Sequence, residues 1–127
     1  MPVDPVIKYL DAVETAFRKL GSGYIERYEE EILTPERVNL RIRVRFANGC
    51  ILEWNEAVTA ESGHVAHLAY RYHFQDRDNK LIFRYDNTPH FPHLETFPHH
   101  KHLSDAVTAV NRPSVFEVLR EVTEFLN

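Results

Sequence analysis

A chain of 127 residues, 43% hydrophobic and 27% charged, has the length and composition of a single domain, 1–127, and argues against a fibrous or disordered protein. A formal charge of −4 argues against a broadly basic surface that coats nucleic acid, and no apolar run approaches the roughly 20 residues of a membrane-spanning helix. Cys50 is the one cysteine, which excludes a disulfide framework and a multi-thiol zinc site. The opening Met-Pro-Val-Asp-Pro has neither the basic nor the apolar region of a signal peptide, so a cytoplasmic location is expected.

The first predicted element is a helix. Asp4 is placed as its cap, Pro5 at its first helical position and Gly21 at its end. Val6, Leu10, Val13, Phe17 and Leu20 recur at helical spacing and give it one apolar face. Glu26 to Leu33 reads as a strand that supplies acidic partners to the next one. In Arg37 to Phe46, apolar Leu40, Ile42, Val44 and Phe46 alternate with Arg41, Arg43 and Arg45. The loop Ala47-Asn48-Gly49, with Gly49 left-handed, sets Ile42 opposite Trp54, Val44 opposite Leu52 and Arg43 opposite Glu53.

A second hairpin is predicted from Val65 to Gln75 and Leu81 to Asp86. With Asp78-Asn79 as a two-residue turn, Phe74 pairs with Phe83 and Tyr72 with Tyr85 on one face. His73 then meets Arg84, and Arg71 meets Asp86, on the other. From Asn87 to Arg112 no period is evident, and Pro89, Pro92 and Pro98 mark a long His-rich loop; a stretch of this kind in a compact domain is usually functional. Ser114 and Glu117 open a final helix, to Leu126, with Val115, Val118, Leu119, Val122 and Phe125 as its buried stripe. The expected fold is thus α+β: a helix, an antiparallel meander of about five strands, the His-rich loop and a helix, both helices on one face of the sheet.

Chemistry is expected between Arg71 and His102, since six of the eight histidines lie from His73 onwards in this stretch. The arginine strand offers either a phosphate-tracking face or a solvated face neutralised by Glu29, Glu31, Glu53 and Glu56. The face of Arg71, His73, Arg84 and Asp86 offers a neutral histidine base beside guanidiniums that stabilise a phosphoryl charge, or only an exposed Arg71–Asp86 ion pair. Five histidines between His90 and His102, with Lys101, suit proton transfer at a phosphate or RNA site, a metal, or nothing more than a histidine-rich surface loop, and the helical and thiol spacings of familiar metal motifs are absent.

The runs Tyr70-Arg71-Tyr72-His73-Phe74-Gln75-Asp76, Leu81-Ile82-Phe83-Arg84-Tyr85-Asp86-Asn87, Pro89-His90 and Phe97-Pro98-His99-His100-Lys101-His102 resemble the TumE family. These are toxin halves of small prokaryotic toxin–antitoxin pairs. The resemblance implies a cognate antitoxin, expected to lie across the second hairpin and the His-rich loop.

The resulting expectation is a toxin acting as a metal-independent endoribonuclease, with no cofactor. Its candidate catalytic residues are His73, Arg71, Arg84, Asp86, His99, His100, Lys101 and His102. His73 or a loop histidine would take the 2′-hydroxyl proton, a second histidine would protonate the leaving oxygen, and Arg71, Arg84 and Lys101 would stabilise the phosphorane. Candidate substrate contacts are His90, His93, Tyr72 and Tyr85. The alternatives are a metal-binding module built on the His-rich loop and a non-catalytic toxin that inhibits a partner by occupying it. A free sheet edge would also accommodate a homodimer.

Overall fold

The computed structural model describes residues 1–127. Helix α1 (Asp4–Arg18) is followed by β1 (Tyr24–Thr34), β2 (Arg37–Arg45), β3 (Ile51–Glu61), β4 (His64–Gln75), β5 (Leu81–Asp86), β6 (His100–His102), β7 (Val107–Ala109) and α2 (Val115–Leu126). The strands form one antiparallel meander in chain order, β1 to β7. The class is α+β as expected, but with seven strands where about five were predicted. The two extra strands lie in the proline-rich stretch, where three-residue strands are too short to display a period.

Hydrophobic alternation accounts for the sheet's two faces. Val38, Leu40, Ile42 and Val44 of β2, Leu52, Trp54 and Val58 of β3, Tyr70, Tyr72 and Phe74 of β4, and Phe83 and Tyr85 of β5 are all buried on one face. Both helices cover that face: α1 contributes Val6, Leu10, Val13 and Phe17, and α2 contributes Val115, Val118, Leu119 and Val122. Phe125, expected in the buried stripe, is half exposed, although its ring still meets Phe74 edge-on.

The predicted register of the first hairpin holds at Ile42–Trp54, Arg43–Glu53 and Val44–Leu52, with Gly49 left-handed at φ 89°. That of the second holds at Arg71–Asp86, Tyr72–Tyr85, His73–Arg84 and Phe74–Phe83. Its turn differs from the prediction. The Asp76 N–H donates to the Lys80 carbonyl and Asn79 is left-handed at φ 65°, so the loop is Arg77-Asp78-Asn79. Gln75 then pairs with Leu81, and a bulge between that pair and Phe74–Phe83 takes up the odd residue, which restores the register beyond it.

The helix ends also refine the expectation. Val3 is the N-cap of α1 and makes no side-chain cap bond, so Asp4 lies inside the first turn, where its charge complements the helix dipole. Ser114 and Glu117 do form the reciprocal capping box of α2. No helix is long and apolar enough to cross a membrane.

Candidate functional site

The face of the sheet opposite the helices carries polar rows set by the register. Arg43, Glu53, His73, Arg84 and His102 follow one another across β2 to β6, and Arg41, Asn55, Arg71, Asp86 and His100 form the next row. Strand alternation therefore divides the Phe-Pro-His-His-Lys-His run. His100 and His102 join the Arg71–Asp86 face, whereas Lys101 points to the helix side. There its Nζ lies 2.6 Å from Glu121 and 5.0 Å from the centre of the Tyr85 ring.

Asp86 is the centre of this outer site. It is buried, with Arg84 Nε 3.2 Å from one carboxylate oxygen, His102 Nε2 3.6 Å from the same oxygen, and His100 Nε2 2.8 Å from the other. The expected Arg71–Asp86 ion pair is absent. Although their backbones pair, Arg71 is exposed and the carboxylate is engaged by β5 and β6 instead. Asp86 Oδ1 also accepts from the Thr88 N–H at 3.0 Å, which starts the turn into the loop. The loop folds back so that Phe91 packs edge-on against His100 at 5.1 Å and His102 at 5.8 Å. That ring covers His100 and explains how a residue on the outer face is buried.

Between the loop and the sheet lies an open pocket of about 320 Å³ lined by Arg71, Arg84, Asp86, Thr88, His90, Phe91 and His102. Beside it, sharing Arg71 and Thr88, a second recess of about 300 Å³ runs over Asn39, Arg41, Asn55 and Asn87. The arginine strand is divided along this groove. Arg43 is held by Glu26 and Glu53, and Arg45 by Glu26, while Arg41 has no ion-pair partner. Burial, then the nearby Arg84, hold protonation of His102 below the usual histidine range, with Asp86 opposing them.

The remaining sequence candidates lie elsewhere. His73 shares the outer row, but its Nε2 bonds Gln75 at 3.0 Å, its Nδ1 is buried without a partner, and it does not line the pocket. Burial, followed by Arg71 and Arg84, lowers its proton affinity. His99 stacks on Tyr70 on the helix side, its Nδ1 3.0 Å from the tyrosine hydroxyl. Tyr72 is fully buried, and the Tyr85 hydroxyl donates to Glu121 at 2.6 Å, so neither ring is presented to the groove. His93 is exposed near Phe91, outside the lining.

A buried polar network on the helix side was not anticipated. The Glu56 carboxylate accepts from Tyr72 at 2.5 Å and from Tyr9 at 2.6 Å, and lies 2.7 Å from His67 Nε2. Arg112 reaches the Tyr72 hydroxyl at 3.2 Å. One signal was available in the sequence: Glu56 interrupts the apolar series Leu52, Trp54 and Val58 of the core face. His67 had none, because a bulge at Leu68 brings it round to the face of Tyr70.

The family model described as Toxin TumE matches residues 14–127. The chain belongs to the TumE toxin family. Its protein is therefore the toxin component of a toxin–antitoxin pair, and the family implies a cognate antitoxin partner. No curated protein and no solved structure matches it. Within this TumE chain the match spans every residue of both outer pockets.

Proposed function

We propose that this toxin cleaves RNA by metal-independent proton transfer in the pocket between β5, β6 and the His-rich loop. The observation that carries the reading is the convergence of Arg71, Arg84, His90 and His102 on one open cavity beside a buried carboxylate. Guanidiniums hold a phosphodiester bidentately and stabilise the charge of its phosphorane. His90 and His102 are the proton-transfer pair. One takes the 2′-hydroxyl proton as that oxygen attacks phosphorus, and the other protonates the departing 5′-oxygen. A 2′,3′-cyclic phosphate and a 5′-hydroxyl result. Asp86 is a positioning residue for His102, and Arg41, Asn55 and Asn87 extend the groove for the flanking chain.

Purified toxin freed of antitoxin is incubated with total RNA in EDTA across a pH range. Cleavage yielding cyclic phosphate ends is expected. His102→Ala should lower its rate by on the order of a hundredfold or more, the scale of a lost general acid or base. Lys101→Ala, on the opposite face, should leave the rate unchanged. RNA that stays intact at every pH would overturn the reading; growth arrest that then survived His90→Ala and His102→Ala would point to a toxin that acts by occupying a partner. The same pocket gives the antitoxin its target, and an acidic or aromatic segment laid across Arg71 and Phe91 would shelter it.

A further inference from the structure

We infer that Asp86, His100 and His102 form a binding site for one divalent transition-metal ion of the zinc class. One donor atom from each residue lies within 4.8 Å of the others. Two of the separations are 2.8 Å, between His100 Nε2 and Asp86, and 3.6 Å, between His102 Nε2 and Asp86. These bracket the roughly 3.3 Å that separates ligands of a tetrahedral ion with bonds of about 2.0–2.1 Å.

The second, independent observation is His100 itself. Its side chain is 1% exposed, and its Nδ1 lies 2.9 Å from the Pro98 carbonyl, an acceptor to which only an N–H can bond. That bond fixes a proton on Nδ1, so in the neutral ring Nε2 carries the lone pair. Nε2 faces the Asp86 oxygen at 2.8 Å without the alignment of a hydrogen bond, so it has no partner. A lone pair against a carboxylate is repulsive unless a cation stands between them. A carbonyl that orients an imidazole toward an ion is the usual support of a ligating histidine. Two imidazoles and one carboxylate suit zinc, nickel or copper, and suit magnesium poorly.

Arg84 is the local competitor, since its Nε approaches the same Asp86 oxygen as His102 without hydrogen-bond alignment. An ion on that oxygen displaces the guanidinium toward the pocket. Asp86 and His102 line the same pocket as Arg71, Thr88 and His90. The site stands apart from the question of substrate; only its effect on cleavage rests on the RNA reading, because an ion on His102 withdraws that nitrogen from proton transfer.

The test is titration calorimetry of the full-length, untagged, EDTA-stripped protein with zinc chloride, and separately with magnesium chloride. One equivalent of zinc and no magnesium is expected. Asp86→Asn and His102→Gln should each weaken zinc binding at least about tenfold, His93→Ala should leave it unchanged, and Arg84→Gln should tighten it. Circular dichroism identifies a variant that fails to fold, and His102, at the rim, is the substitution least exposed to that failure. Absence of zinc binding would overturn the site and leave a second proton as the species between His100 and Asp86. Zinc binding that survived both Asp86→Asn and His102→Gln would overturn it equally, by assigning the ion to the exposed loop histidines. In the RNA assay zinc should slow cleavage; binding without any cleavage activity would uphold the site and sink only the RNA reading.

Discussion

Arg71 and Arg43 lie on the same sheet face, yet their surroundings assign them different work. Arg43 is held between Glu26 and Glu53, whereas Arg71 has no ion pair and reaches both recesses of the groove. Alternation along the strands made the shared face legible in the sequence. The first-hairpin register also gave the Arg43–Glu53 pair, but not the hold of Glu26 on Arg43, which depends on the register of β1 against β2. Arg71→Ala is accordingly expected to weaken RNA binding and cleavage while moving stability by no more than about 0.5 kcal/mol, as for surface substitutions generally. Arg43→Ala should do the reverse, costing up to about 1 kcal/mol for its partly exposed pairs and leaving cleavage intact. Thermal unfolding beside the RNA assay reads both. Loss of cleavage in Arg43→Ala alone would put the site on the wrong part of the face.

Among the elements, the second hairpin was readable because its register sorts aromatic from charged residues, and a one-residue slip would mix them. The turn misled for a local reason. Asn79 is in the left-handed conformation, as an asparagine turn residue tolerates, but in a three-residue loop whose surplus a bulge absorbs. β6 escaped notice because three residues do not make a period, so Lys101 was grouped with histidines that point the other way. The hairpin's rigidity comes from beneath: Phe83, 1% exposed, packs between Phe74 and Tyr85 at 5.4 Å from each. Phe83→Ala should destabilise by about 3–5 kcal/mol, the cost of a buried phenyl, measured by urea unfolding. A loss below about 1 kcal/mol would mean that the strand can collapse around the gap.

At the scale of the whole molecule, the sheet separates an outer face that presents cations from a helix-covered face that buries a carboxylate. Glu56 joins the two layers, since Tyr9 comes from α1, Tyr72 and His67 from β4, and Arg112 reaches the cluster from the segment before α2. Burial alone would raise the carboxyl's pKa; the bonds from His67, Tyr72 and Tyr9 outweigh it and hold the group below its usual range. A carboxyl depressed in the folded state contributes stability that is complete above its unfolded value, near pH ~4.3, and is lost as pH falls through the folded value. The fold should therefore lose stability steeply below about pH 4, α1 separating from the sheet as the carboxylate takes its proton. Glu56→Gln tests this. Its amide nitrogen cannot accept from a tyrosine, so one buried donor is left unpaired and about 1–3 kcal/mol is lost at neutral pH. The variant, having no carboxyl to protonate, should also show a shallower fall in urea midpoint between pH 6 and pH 3 than the parent chain. Parallel pH profiles for the two proteins would assign acid sensitivity to the outer face instead.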